Sequence, residues 1–199
     1  MLFFYTASAL RESVLKANGS HIRAWWIRHH AFAMANCVLV LSLPASSPSL
    51  ARARALFLRW AAAQAVVIVL QNRYQRRRLY TRIALGKSSA LDLPGGDAAG
   101  AHGQLLVLYP ALFALQALQA AVGAEMLRWT YRSLPPLSVE GFLDPESGES
   151  DLWGSRGVAL SGAAMLYMAG MNFWHTADTL AGKFGGDARR PPARAAPPR

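Results

Sequence analysis

Six consecutive residues, Trp25-Trp26-Ile27-Arg28-His29-His30, gather the side chains of this chain best suited to hold a ligand. Ring faces stack on flat groups, and imidazoles bind protons, phosphates or metal near neutral pH. On a helix, Trp26 shares a face with His29 and His30, three and four residues on. The plainer reading is an interfacial anchor, with Trp at headgroup level, Arg snorkelling and His solvated. Read alone, the six residues favour that anchor. A metal site has less support: adjacent histidines point to different helix faces, and His102 and His175 lie far away in sequence.

Three other groups could carry chemistry. Asn172, His175, Asp178 and Lys183 give the last apolar segment a polar end, either a functional cluster or a helix terminus meeting water. Gln104, Gln116 and Gln119 place amides in an otherwise apolar stretch. Such amides make interhelical hydrogen bonds or, more sharply, line a pore. Residues 71–82 interleave Arg73, Arg76, Arg77, Arg78 and Arg82 with Tyr74 and Tyr80. That pattern suits a juxtamembrane patch on anionic lipid. RNA binding would need a soluble platform for the bases, so no nucleic-acid partner is expected. No Gly-x-Ser-x-Gly elbow, phosphate-binding Gly-rich loop or His-Glu-x-x-His occurs. Hydrolysis and phosphoryl transfer have no visible equipment.

The elements that must position these residues are apolar and long. The chain has 199 residues, 53% of them hydrophobic, yet carries a net charge of +10. Charges come in blocks between apolar runs, as in a polytopic membrane protein rather than a soluble domain. Four helical spans are predicted at about 27–44, 55–72, 104–126 and 156–178, after an apolar stub at 1–10. Pro44 and Pro48 should end the first span near Leu43, and Pro110 should kink the third. Residues 134–151, rich in Pro and acid, read as a loop, and 185–199 as a disordered basic Pro/Ala/Arg tail. The single cysteine, Cys37, lies inside a span, where it serves as a small apolar side chain.

In a four-span arrangement most of the 21 basic residues fall on one side. The acids Glu140, Asp144, Glu146, Glu149 and Asp151 fall on the other. The positive-inside rule puts the basic side, with the C-terminus, in the cytosol. The sequon Asn18-Gly19-Ser20 would then stay unmodified.

An ordered set of short segments adds a family resemblance. It includes Arg11 to Leu15, Asn18-Gly19-Ser20, Trp25-Trp26 followed by His29-His30, Gln71 to Gln75, Arg78 to Lys87, and Gly103 to Leu105 through Tyr109-Pro110. Together they resemble the transmembrane protein 120 family, also called TACAN, in a form closer to its plant and algal branch. The resemblance implies an all-α membrane bundle: a six-span barrel similar to that of the very-long-chain fatty-acid elongases. It implies a coiled coil that makes homodimers, and a cytosol-facing pocket for coenzyme A. This chain would carry four full spans and the stub, as an N-terminally truncated member. Elongases carry His-x-x-His-His at the pocket, whereas the matching residues here are Trp26-Ile27-Arg28-His29-His30. A Trp in place of the first His puts condensation chemistry in doubt and suits stacking on the coenzyme. Carried over by position, Trp26, His29 and His30 would contact the coenzyme and Lys183 its phosphates. The resemblance also implies a mechanosensitive ion channel, or a structural protein of the inner nuclear membrane, endoplasmic reticulum or plasma membrane, as rival roles.

Overall fold

The computed structural model describes residues 1–19, 22–84, 107–133 and 151–187. These form five helices and, among the described residues, no strand: α1 (Leu2–Ala17), α2 (Ala24–Ser42), α3 (Pro48–Ala84), α4 (Tyr109–Ser133) and α5 (Leu152–Asp187). The all-α class holds. α3 runs further than its predicted span, so the basic run from Arg73 continues a helix instead of opening a loop. α5 likewise continues to Asp187, into the predicted tail, whose remaining residues lie outside the described ones. Gln104, His102 and residues 134–150 of the predicted 134–151 loop lie outside them as well.

Local chemistry sets the helix ends. Proline disfavours helical backbone in the residue before it, and Leu43, before Pro44, is extended at φ −73°, ψ 145°. α2 therefore stops at Ser42. A turn follows, closed by Ser47 N–H donating to the Pro44 carbonyl at 3.0 Å. Ser47 then caps α3: its Oγ accepts from Leu50 N–H at 3.0 Å, with Pro48 at the first helical position, where its missing donor costs nothing. The same logic corrects the expected kink at Pro110. It sits in the first turn of α4, where no intrahelical N–H bond is lost. α1 ends at Ala17 with Asn18 as its C-cap, and Gly19 follows with φ +88°, a left-handed position that favours glycine.

The bundle buries polar residues within its apolar core and leaves large apolar side chains exposed. Buried polar residues include Ser8, Glu12, His30, Asn36, Gln64, Gln116, Gln119 and Ser161, while Phe3, Leu10, Leu41, Leu58, Val66, Val69 and Leu160 are exposed. A water-soluble fold would reverse this, because exposed apolar area is what water drives inside. Hydrocarbon tolerates it. Two helical stretches, Pro48–Tyr74 and Tyr109–Tyr131, are long and apolar enough to cross a bilayer. α2 falls short of that measure because Arg28, His29, His30 and Asn36 interrupt its apolar residues.

α4 and α5 pack antiparallel across two glycines. A Cβ on Gly123 would stand 2.7 Å from the Gly162 carbonyl oxygen, and one on Gly162 would stand 2.8 Å from that of Gly123. Small residues let the two backbones approach this closely. Tyr5, Ala33, Cys37, Trp60, Val122, Met126, Met165 and Met168 join all five helices in one core cluster.

Candidate functional site

Trp25, Trp26, His29 and His30 lie on the first two turns of α2. The buried face of α1, at Tyr5, Ser8 and Glu12, packs against them. Those three residues fall at helical spacing, and the spacing brings one carboxylate to the imidazoles. Glu12 Oε2 lies 3.0 Å from His30 Nδ1, and both side chains are about 5% exposed. Trp26 Nε1 donates to Glu12 Oε1 at 3.2 Å, and Arg11 donates to the same oxygen at 3.3 Å. Burial raises the Glu12 carboxyl, but the contacts with His30, Trp26 and Arg11 outweigh it and hold the group below the usual carboxylate range. Glu12 escaped the sequence reading. Its signal was the Tyr5-Ser8-Glu12 spacing, which runs from the apolar stub at 1–10 into the Arg11 to Leu15 segment, noted only for its family resemblance.

The rings are arranged in stacks. Trp26 lies on His29 with centroids 5.5 Å apart and planes 20° from parallel, and meets His30 edge-on at 5.0 Å. Trp25 stacks on His175 of α5 at 4.1 Å and 12°. Trp25 is therefore more than a plain anchor, and the distant His175 joins the cluster. Arg28 is exposed, as an anchor would be. Tyr5 places its ring 6.4 Å from His29 and 6.0 Å from His30, and its hydroxyl accepts from Gln64 Nε2 of α3.

The polar end of α5 completes this end of the bundle. Arg23, just before α2, pairs with Asp178 at 3.7 Å. Gln116 Nε2 of α4 donates to Thr176 Oγ1 at 2.9 Å, so this amide makes the interhelical bond expected of it. Gln119 is buried, 4% exposed, on the same helix. Lys183 lies further along α5, with its side chain outside the described residues. Several buried atoms here have no hydrogen-bond partner among the described residues: Trp25 Nε1, Gln116 Oε1, Asn172 Oδ1 and His175 Nε2. Buried polar atoms are nearly always satisfied, so such a group points to a site that a ligand or water completes. Among the described residues no group of three His, Cys, Asp or Glu could hold a metal ion.

The opposite end is a helix junction. Asp151, just ahead of α5, accepts from Ser49 N–H in the first turn of α3 at 2.9 Å, and Ser49 Oγ and Ser155 Oγ lie 2.9 Å apart. Burial raises the Asp151 carboxyl, but hydrogen bonds from Ser47 and Ser49 outweigh it and hold it low. Gly154 admits this contact, since a Cβ there would run into Ser47 and Asp151.

An all-helical bundle with large apolar side chains exposed, polar groups buried in its core and two helical stretches long and apolar enough to cross a bilayer is that of a membrane protein. The TMEM120A/B family profile matches residues 1–185. A transmembrane protein 120 homolog of Dictyostelium discoideum is 36% identical over 137 residues, covering 66% of this chain and 37% of the relative. Transmembrane protein 120B of Homo sapiens is 37% identical over 93 residues, covering 47% of this chain and 27% of the relative. That of Danio rerio is 36% identical over the same length. The chain belongs to the TMEM120A/B family, and spans roughly a third of the length of the relatives it matches.

Proposed function

We propose that the Trp26 end of the bundle is a recognition site for coenzyme A or acyl-coenzyme A, opening to the cytosol. The observation that carries this reading is the pair of indole–imidazole stacks, Trp26 on His29 and Trp25 on His175, set beside buried polar atoms that have no partner among the described residues. A purine offers a flat face to such rings, and donors and acceptors at its edge to Trp25 Nε1, His175 Nε2 and Asn172 Oδ1. The residues present thus fit the coenzyme. Trp26 and His29 would hold its base, His30 would be fixed by Glu12 beside them, and Lys183 would meet its phosphates. When bound, the coenzyme supplies a thiol that carries acyl groups as thioesters. Lipid metabolism is the natural setting.

Elongase-like condensation has less support, because Trp26 stands where the first imidazole of that motif would be. A channel has less support too. Of its would-be pore residues, Gln116 gives its Nε2 to Thr176 in an interhelical bond. A six-span barrel, a homodimer, passage of α2 and α5 through the bilayer, and placement in the nuclear envelope or endoplasmic reticulum belong to the same proposal for the full-length protein.

The test is to purify the chain in detergent, extract bound nucleotide for mass spectrometry, and titrate coenzyme A by calorimetry. Trp26→Ala should weaken binding about tenfold, the worth of one good ring contact. Unchanged affinity in that variant, or no binding by the parent chain, sinks the reading. Stretch-gated current in coenzyme-free patches would favour the channel.

A further inference from the structure

We infer that the far end of the bundle, remote from Trp26, carries a second binding site, for a phosphate group, with Arg52 as its counter-charge. A cavity of about 340 Å³ opens there between α3, α4 and α5. It is lined by Pro48, Ser49, Arg52, Trp129, Thr130 and Val158. Its volume falls at the lower end of the ~300–1,000 Å³ range of small-ligand pockets, enough for a headgroup phosphate.

Three observations give the site its chemistry. First, the Arg52 guanidinium lies 5.0 Å from the Trp129 ring centroid. A ring face under the cation fixes its plane and leaves the N–H edges for an acceptor in that plane. Second, no carboxylate is found paired with Arg52 among the described residues, where Glu12, Asp178 and Glu125 pair with other partners. The neighbouring acid, Asp151, is engaged by Ser49 and Ser47. Third, the first turn of α3 has no donor to spare at Ser49 or Leu50, which give their N–H groups to Asp151 and Ser47. Charge recognition therefore falls to the guanidinium, whose planar fork matches two phosphate oxygens.

Position selects the source. The apolar stretch of α3 begins at Pro48 and that of α4 ends at Tyr131, so the cavity sits at the membrane boundary. Tyr131 and Trp153 are exposed at the same level, as aromatic residues are where headgroups meet hydrocarbon. A phospholipid can bring its phosphodiester in sideways from the bilayer, where free phosphate must come from water.

The full chain would be purified in mild detergent from vesicles of phosphatidylcholine and phosphatidylglycerol, and retained phospholipid counted by native mass spectrometry. Arg52→Gln should lower retention roughly tenfold. Arg54→Gln, an exposed neighbour outside the cavity, should leave it unchanged. Helicity and elution volume matching the parent chain would show that both variants fold. A parallel arm titrates inorganic phosphate against thermal unfolding. Stabilisation that is lost in Arg52→Gln supports the phosphate site and, without lipid retention, assigns it to a soluble ligand. Equal retention in the parent and Arg52→Gln, with no Arg52-dependent effect of phosphate, overturns the inference. The coenzyme titration at Trp26 is unaffected by either result.

Discussion

The two ends of the bundle use polar groups in opposite ways. At the α3–α5 junction, Ser47, Ser49, Asp151 and Ser155 bond to one another and to the first turn of α3, and Gly154 lets them meet. At the Trp26 end, rings and amides are brought together while Trp25 Nε1, Asn172 Oδ1 and His175 Nε2 keep no partner among the described residues. Satisfied polar groups hold helices in register, and unsatisfied ones cost stability until something binds. The polar groups between α3 and α5 thus tie helix ends together, while those at the Trp26 end are left open among the described residues. Between them, the glycine crossing of α4 and α5 fixes the spacing of both.

The largest effect should come from that crossing. Gly162→Val places a branched side chain against the Gly123 carbonyl, a backbone atom that cannot swing aside. Overpacking costs ~1–3 kcal/mol where side chains can yield, and more where backbone must move. The expected result is a lowered thermal midpoint in detergent with disturbance at both ends of the bundle, including weaker coenzyme binding. A variant as stable as the parent would mean that α4 and α5 do not meet at these glycines.

Next in size is Glu12→Ala. It strands the buried His30 imidazole and the Trp26 N–H together, a loss of ~1–3 kcal/mol for groups left unsatisfied. Glu12→Gln keeps an acceptor for Trp26 and should recover part of the loss. If Glu12 positions the site, coenzyme affinity should fall in Glu12→Ala by more than in a core variant of equal stability. A fall in stability alone would make Glu12 part of the scaffold and narrow the contrast between the two ends.

How much of this could be read from the sequence divides along the same line. The helices, the stop before Pro44 and the grouping of Trp26, His29 and His30 follow from local rules of period and backbone, which act within a few residues. Glu12 on His30, Trp25 on His175 and Gln116 on Thr176 join residues 18, 150 and 60 positions apart. Pairings of that range depend on which helix faces meet. Arg28, His29, His30 and Asn36 also explain why α2, plausible as a span by position, is less apolar than a bilayer segment needs. His30 and Asn36 turn inward while Arg28 stays exposed, and composition averaged along the chain does not register direction.

The third effect is smaller and belongs to the junction. Ser47→Ala removes the cap on Leu50 N–H and should cost about 1 kcal/mol, typical of an N-cap serine. Thermal unfolding measures it. Coenzyme affinity should not change, since the junction lies at the far end from Trp26. A change in affinity as large as that from Trp26→Ala would dissolve the division between the ends.

The smallest effect tests the junction by pH. The Asp151 carboxyl is held below its ordinary value in the folded chain, with Ser47 and Ser49 bonding its charged form. A depressed folded value means that the group's contribution to stability is complete above about pH 3.9, the ordinary Asp value. The contribution shrinks as acid protonates the carboxyl and is gone below the folded value. Asp151→Asn removes the charge at every pH. The stability gap between parent and variant should therefore be constant near neutrality and close as pH falls through the acid range. Its size is modest because the carboxyl is partly exposed and solvent screens it. A gap that persists unchanged in strong acid would mean that the shape of the side chain, and not its charge, holds the two helix ends together.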